Sequence, residues 1–299
     1  MSIPVYPDFI PLSLNLRGEI HPLLELAIDG ISEFTFSNLY LFRNRYKYRV
    51  ARLPGTGLIL SGITPEYDSA FFMTPCGYPG NDILKHLFAT HNYWKNIPPS
   101  LLDSSIGETP FRRQLEEQGV AICEDRDNFD YLYLRSDLAA LSGKKFHKKK
   151  NLVNAFMNAW PDHEGRRMDA ALIPDALAVL ERWKKEKNED GDYFPAREAL
   201  ELYQELNLYG SVYYVNKRPV AYCLGESIGR DVFAIHFEKA LDSYKGVFQY
   251  MNQAFTANLP EKYTLINREQ DLGNEGLRQA KMTYRPVGFV KKYKGVMHG

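Results

Sequence analysis

Residues 210–238 decide the fold, and they read GSVYYVNKRPVAYCLGESIGRDVFAIHFE. The segment holds three runs rich in aromatic and β-branched residues, at 210–215, 219–226 and 232–238, with turn residues between them. Such runs joined by short turns are typical of antiparallel strands connected by hairpins. The segment therefore predicts a three-stranded meander.

Further elements are predicted on both sides of the meander from apolar periodicity and turn residues. The second half predicts a basic helix at 145–160, helices at 174–187 and 195–208, the meander, a helix at 246–257, a strand at 263–267, a helix at 275–282 and a strand at 289–294. The first half predicts a helix at 17–27, strands at 48–53, 58–61 and 70–74, a helix at 81–90, a loop at 96–109, a helix at 111–118, and strands at 120–124 and 130–134. The shared order predicts an α+β fold of two tandem modules, residues 1–135 and 136–299, each with a mixed, mainly antiparallel sheet flanked by helices.

The composition is that of a globular protein. The chain has 299 residues, of which 44% are hydrophobic and 25% charged, and this excludes a disordered or fibrous chain. Three cysteines without a C-x-x-C pair, and histidines without a metal-ligand spacing, predict neither a disulfide framework nor a metal site. The N-terminal residues MSIPVYPDFI lack the pattern of a signal peptide, and no long apolar run is present, so we expect a cytoplasmic protein without a transmembrane segment.

Two catalytic motifs can be set aside. Residues 225–229, GESIG, match G-x-S-x-G, but the nucleophile of that motif needs a strand before it and a helix after it. Here a strand is predicted on both sides, so the glycines are turn residues of a hairpin. The chain has no P-loop and no G-x-G-x-x-G, which gives no support to a nucleotide-dependent kinase or dehydrogenase.

Positive charge is concentrated in two segments, although 37 basic residues balance 37 acidic ones. Residues 276–299 contain no acidic residue and six basic ones, and a polyanion could contact this stretch. The denser segment, residues 144–150, lies at the predicted start of a helix, where the helix dipole disfavours cations. It also lies at the junction of the two predicted modules. A solvated helix face is the structural alternative to a polyanion site there. The candidate polyanion-binding residues are Lys144, Lys145, His147, Lys148, Lys149 and Lys150.

Polar residues follow two predicted strands. Residues 267–273, NREQDLG, come directly after one strand, and Glu238 and Lys239 end another. Carboxylates at strand ends are well placed to line a cleft. In the structural alternative, Asp271 or Asn274 caps the following helix.

Together these segments resemble a known family. The resemblance lies in 129–134 (FDYLYL), 143–151 (GKKFHKKKN), 236–240 (HFEKA) and 266–273 (INREQDLG), with Gly246, Gln249, Tyr250 and Asn252 between them and 276–278 (GLR), Lys281 and 284–286 (YRP) after them. The chain is similar to soluble relatives of the C-terminal domain of bacterial phosphatidylglycerol lysyltransferase, over about residues 37–294. The resemblance implies two tandem modules of the Gcn5-related N-acetyltransferase type, in agreement with the predicted element order.

The resemblance also implies acyl or aminoacyl transfer to an amine or hydroxyl acceptor that it does not identify, a small molecule or a peptide among the candidates. An aminoacyl-tRNA donor is favoured over acyl-coenzyme A. Coenzyme A-dependent relatives hold the pyrophosphate with an (R/Q)-x-x-G-x-(G/A) loop, and the corresponding residues 243–248, SYKGVF, match only at Gly246. An acyl-coenzyme A-dependent N-acyltransferase and a non-catalytic module that binds an amino-acid-like or anionic ligand remain alternatives.

Amine attack on an activated acyl carbon needs a base and groups that hold charge. The candidate catalytic residues, which could accept a proton or hold an amino group, are Glu238, Glu269 and Asp271. The candidate substrate-binding residues are His236, Lys239, Asn267, Arg268, Arg278 and Lys281. The sequence does not indicate an oligomeric state.

Overall fold

The same arrangement of four strands occurs twice in the chain, as seen in a computed structural model that describes residues 2–55, 57–106, 109–187 and 190–298. The strands are β1 (Ile10–Pro11), β2 (Arg49–Arg52), β3 (Leu58–Thr64), β4 (Ser69–Met73), β5 (Tyr93–Ile97), β6 (Ser105–Ile106), β7 (Thr109–Pro110), β8 (Val120–Glu124), β9 (Asp130–Leu134), β10 (His163–Arg167), β11 (Tyr209–Val215), β12 (Arg218–Ile228), β13 (Val232–Ala240), β14 (Leu265–Asn267), β15 (Gly288–Val290) and β16 (Tyr293–Met297). The helices are α1 (Arg17–Leu24), α2 (Phe36–Leu41), α3 (Arg43–Tyr46), α4 (Asn81–Thr90), α5 (Pro99–Leu102), α6 (Phe111–Glu117), α7 (Arg135–Ala140), α8 (His147–Ala159), α9 (Ile173–Lys187), α10 (Tyr193–Glu201), α11 (Val247–Asn258) and α12 (Glu275–Met282).

The strands form two seven-stranded sheets. The first has the order β1-β2-β3-β4-β5-β16-β8 and the second the order β10-β11-β12-β13-β14-β9-β15. In the first, β2, β3 and β4 are antiparallel and β5 is parallel to β4; in the second, β11, β12 and β13 are antiparallel and β14 is parallel to β13. The predicted α+β fold with two equivalent meanders is confirmed.

The chain divides into two compact units, neither of which is continuous in sequence. Unit 1 comprises Met1–Asp130, Gln270–Gly273 and Val290–Gly299, and unit 2 comprises Tyr131–Glu269 and Asn274–Phe289. The division into domains at residue 135 stays a prediction. Two strands, however, lie in a different sheet from the one that the sequence predicted for them. β9 pairs with β14 in the second sheet, and β16 pairs with β5 and β8 in the first. Each of these strands hydrogen-bonds to a strand that is distant in sequence, and local pattern does not reveal such pairing.

The sequence prediction lacked the short strands β1, β6 and β7 and two strands of five residues, β5 and β10. The first of these two, β5, lies just before and within the predicted loop 96–109, of which residues 107 and 108 lie outside the described part. It is nevertheless central to unit 1, where Trp94 stacks on Phe72 with ring centroids 5.4 Å apart in a core that Leu84 and Leu87 of α4 complete. The second, β10, is a polar edge strand paired with β11.

The basic C-terminal stretch is only partly a solvent-exposed surface. Lys291 is half-exposed and pairs with Glu124, whereas Lys292 is fully buried and pairs with Asp130 and Glu33. The expectation that the whole stretch could meet a polyanion is therefore wrong for Lys292. Adjacent residues in an extended segment point to opposite sides, which explains the difference.

Candidate active site

A β-bulge at the centre of unit 2 positions His236. Along β12 and β13, Leu224 pairs with Phe237 and Gly225 pairs with Ile235, so His236 is the extra residue of the bulge. The backbones approach so closely there that a Cβ atom at Gly225 would lie 1.9 Å from the carbonyl oxygen of Ala234. A bulge of this kind redirects a side chain out of the regular alternation.

The His236 ring lies between two carboxylates. Its Nδ1 is 2.7 Å from Oε1 of Glu269 and its Nε2 is 3.0 Å from Oε1 of Glu226. Burial opposes the charged ring, but the hydrogen bonds and charges of the two carboxylates outweigh it and raise the pKa of His236 to about 10. At neutral pH the ring is therefore an imidazolium that donates to both carboxylates.

The backbone of Glu269 is held in the left-handed region, with φ at 55°. Its N–H donates to Oδ1 of Asn267 (2.8 Å), and its carbonyl accepts from the N–H of Tyr131 (3.2 Å) and from Nζ of Lys281 (3.1 Å). Several contacts thus maintain a conformation that a non-glycine residue rarely adopts, and such residues concentrate at functional sites. Asn267 and Lys281, both predicted to bind substrate, support Glu269 in this way.

Glu238 has a different cationic partner. Nε and Nη2 of Arg268 donate to its Oε2 at 3.1 Å and 2.6 Å, and Nδ2 of Asn252 donates to its Oε1 at 3.0 Å. The guanidinium also lies over the ring of Tyr284, 4.8 Å from the centroid. Burial disfavours the charged guanidinium, but Glu238 outweighs this and raises the pKa of Arg268. Oδ1 of Asn252 has no hydrogen-bond partner in the described part of the chain.

Lys239 lies apart from Glu238, because consecutive strand residues point to opposite faces of a sheet. Its Nζ is 2.5 Å from Oδ1 of Asp192 and 3.9 Å from the ring centroid of Trp183. Burial lowers the pKa of Lys239. Its ammonium is therefore already paired, and a role in substrate binding stays a prediction.

The other predicted residues are spread over both units. Asp271 belongs to unit 1, where its buried side chain pairs with Nη1 of Arg126 (3.4 Å) and accepts from the N–H of Gly273 (2.9 Å). Asn274 caps α12 by accepting from the N–H of Leu277, the structural role predicted for Asp271 or Asn274. Arg278 is half-buried on α12. The catalytic role of Asp271 stays a prediction.

The basic segment borders an open groove of about 680 Å³ in unit 2. The groove is lined by Ala140, Leu141, Ser142, Gly143, Lys144, His147 and Lys150. The other three predicted cations point elsewhere: Nζ of Lys145 is 2.6 Å from Oδ2 of Asp137, Lys148 is exposed, and Nζ of Lys149 lies 4.2 Å from the Tyr284 ring centroid. Burial and then the charge of Arg268 lower the pKa of Lys149.

The second unit fits coenzyme A poorly. Gly246 precedes α11 with φ at 88°, and a Cβ atom there would lie 2.4 Å from the carbonyl oxygen of Leu152 in α8. This glycine therefore accommodates a close helix–backbone contact, and Phe248 stands where the pyrophosphate loop needs a small residue.

Glu226 is a site residue that was not predicted from the sequence. It lies inside the G-x-S-x-G segment, which forms the predicted hairpin between β12 and β13. The only available signal was a carboxylate in a buried strand next to a glycine that could mark a bulge.

A family model described as "Phosphatidylglycerol lysyltransferase, C-terminal" matches residues 26–294. The chain belongs to this family. A solved structure of a conserved protein of unknown function from Bacteroides thetaiotaomicron is 31% identical, with a TM-score of 0.83, and the match covers 97% of this chain and 99% of that one. The C-terminal domain of an Agrobacterium fabrum protein described as a lysylphosphatidylglycerol synthetase shares the fold, at 13% identity and a TM-score of 0.64, over 96% of this chain and 93% of that one.

A curated relative, an uncharacterized protein of Mycoplasmoides gallisepticum, is 22% identical over 171 residues, which cover 55% of this chain and 54% of the relative. The chain thus spans about half the length of the curated relative that it matches. The lysyltransferase family relates the chain to transferases, as the resemblance implied. No helix in the described ranges has the length and apolar character needed to cross a membrane.

Proposed function

We propose that this member of the lysyltransferase family moves an aminoacyl group from aminoacyl-tRNA to an amine or hydroxyl acceptor, with a lipid headgroup as the first acceptor to test. The observation that carries the proposal is the arrangement of Glu238 and Glu269 in unit 2, each held by a buried cationic side chain. A cytoplasmic location, where aminoacyl-tRNA is found, is part of the proposal.

The two carboxylates have different roles in the proposed reaction. Glu238 and Oδ1 of Asn252, which has no partner among the described residues, together present oxygen acceptors that suit the ammonium of an aminoacyl group. Glu269 is the more exposed carboxylate, with 18% of its side chain accessible against 13% for Glu238, and it suits the role of proton acceptor.

The basic groove suits the donor. Lys144, His147 and Lys150 line it, and Gly143 with φ at 80° precedes the helical turn that leads into α8. Lysines that contact phosphates favour a polyanion over a neutral ligand, and they make its affinity salt-dependent. An acyl-coenzyme A donor is not favoured, because the Gly246 segment fits its pyrophosphate poorly.

The test uses the purified chain, bulk tRNA charged with labelled amino acids, and vesicles that contain phosphatidylglycerol. Label that moves from tRNA into the lipid extract supports the proposal with a lipid acceptor, and label that moves to an added amine supports it with a different acceptor. Glu269→Gln should abolish either transfer, whereas Glu261→Gln, which alters an exposed carboxylate of the same unit, should not. Binding of charged tRNA without transfer to any acceptor would contradict the proposal and favour a non-catalytic binding module.

A further inference from the structure

One carboxylate of the His236 cluster lies behind the groups proposed to react. Glu226 contacts the histidine on the side opposite Glu269, through the other ring nitrogen. The accessible fractions of the side chains are 18% for Glu269, 2% for His236 and 9% for Glu226. Glu269 is therefore the most accessible of these three side chains, and the His236 ring lies between it and Glu226.

We propose that Glu226 is a positioning residue, which acts through His236 to hold Glu269 as the proton acceptor of the transfer reaction. The inference rests on the proposed function. It assigns a role to a residue of the β12–β13 hairpin, distinct from those of Glu238 and the basic groove.

Two ionised carboxylates, one at each ring nitrogen, both receive a hydrogen bond when the ring is doubly protonated. A neutral imidazole donates one hydrogen bond, whereas an imidazolium donates two, and both ring nitrogens of His236 face carboxylate oxygens. If only one carboxylate were present, its charge would have to offset the whole cost of burying the charged ring. Glu226 supplies the second negative charge, so the ring continues to donate to Glu269 throughout the pH range in which transfer is measured.

Charged groups approach the cluster from three elements packed against it. Glu226 faces the ring from β12, and Glu269 faces it from the segment after β14. Nζ of Lys281, on α12, donates to the carbonyl oxygen of Arg268 at 2.6 Å and to that of Glu269 at 3.1 Å. The experiment below follows the proton of His236, the group that lies between the two carboxylates.

The chemical step balances without another reactant. The acceptor N–H or O–H attacks the ester carbonyl carbon of the aminoacyl group, and a new amide or ester bond forms while the ester bond to the terminal ribose breaks. Glu269 takes the proton of the acceptor and returns it to the ribose oxygen that leaves. The imidazolium keeps both of its protons and fixes the direction of the Glu269 carboxylate.

The experiment measures kcat and KM for aminoacyl transfer between about pH 6 and about pH 9.5, across the ordinary pKa of histidine. The proteins are the wild type, Glu226→Gln, Glu226→Asp, His236→Gln and the double variant Glu226→Gln/His236→Gln, with Glu261→Gln as the surface control. The NMR shifts of the His236 ring are followed over the same range, and this second readout does not depend on activity.

Glu226→Gln should leave KM unchanged. It should lower kcat about tenfold at the alkaline end of the range and only slightly near pH 6. The loss is smaller than the full rate contribution of general acid–base catalysis, which is about 10²–10⁴-fold. The ring of His236 should lose its proton at a lower pH than in the wild type. Glu226→Asp keeps the charge and should restore much of the alkaline activity. In the His236→Gln background, Glu226→Gln should have no further effect.

Several results would overturn the inference. One is a Glu226→Gln enzyme with the wild-type pH profile; another is an equal loss of kcat at every pH, which would indicate a structural role. A further loss of kcat when Glu226→Gln is added to His236→Gln would also overturn it. So would an unfolded Glu226→Gln protein together with a folded Glu226→Asp protein that has no alkaline activity. If the wild type transfers nothing, the proposed function fails, and an unchanged His236 titration in Glu226→Gln separately excludes the coupling.

Discussion

Nζ of Lys292 lies 2.7 Å from Oδ1 of Asp130 in the interior of unit 1, although 162 residues separate them in sequence. Both side chains are fully buried, and Glu33 is a second partner of the same ammonium. The N–H and the hydroxyl of Ser32 also donate to Asp130, at 2.8 Å and 2.9 Å. This cluster holds together three separate parts of unit 1, including the segment that leads into β16.

Lys292→Met should destabilise the protein by about 3–5 kcal/mol, because it leaves two buried carboxylates without their cation. The measurement is urea unfolding near neutral pH. Lys291→Met is the matched control, since the neighbouring lysine forms a half-exposed pair with Glu124 (2.6 Å), and such pairs contribute about 0–1 kcal/mol. Equal unfolding midpoints for the two variants would contradict the role given to the buried cluster.

Structure that is set by neighbouring residues could be predicted from the sequence. The meander of β11, β12 and β13 was predicted because each turn lies within a few residues of the strands that it joins. α4 and α12 have the predicted bounds; the apolar spacing of Leu84 and Leu87 explains α4, and the Asn274 cap explains the start of α12. The equivalence of the two meanders follows from the same local signals.

Features that depend on distant partners were not predicted. The exchange of β9 and β16 between the sheets is one, and the burial of Lys292 in an otherwise basic, exposed stretch is another. Within the site, the polar segment 267–273 was recognised, but its residues belong to two units. Glu226 was overlooked because its role depends on a bulge that no short motif encodes.

Gly246→Ala should destabilise the protein more than Gly229→Ala. Both glycines have positive φ, 88° and 64°, so each substitution costs about 1–2 kcal/mol of backbone strain. A Cβ atom at Gly229 meets nothing within 4 Å in the described ranges, whereas one at Gly246 meets the Leu152 carbonyl, and such overpacking adds about 1–3 kcal/mol. Thermal unfolding of the two variants tests the difference. If they are equally stable, α8 does not approach α11 as closely as described.

Stability should fall at alkaline pH through His236. Its pKa is raised to about 10 in the folded protein, so its contribution is fully present below the unfolded value near 6.5 and is lost as the pH rises towards 10. His236→Gln should therefore lose less stability than the wild type between about pH 7 and about pH 9.5. The comparison is by thermal melts, with the exposed His298→Gln as the control. Parallel losses in wild type and His236→Gln would show that the ring is not charged in the fold.

Removing the two lysines that line the groove should weaken tRNA binding and its dependence on salt. Each phosphate contact contributes about 0.7–0.9 to the slope of log K against log salt concentration, so Lys144→Ala/Lys150→Ala should flatten the slope by about 1.4–1.8 if each lysine contacts one phosphate. Lys148→Ala is the control, because that side chain is exposed on α8, the helix that carries Lys150, without lining the groove. The measurement is the affinity for charged tRNA between about 50 and about 200 mM salt. A change of slope in Lys148→Ala that equals the change per lysine in the double variant would mean that the phosphates lie along the outer face of α8 and not in the groove.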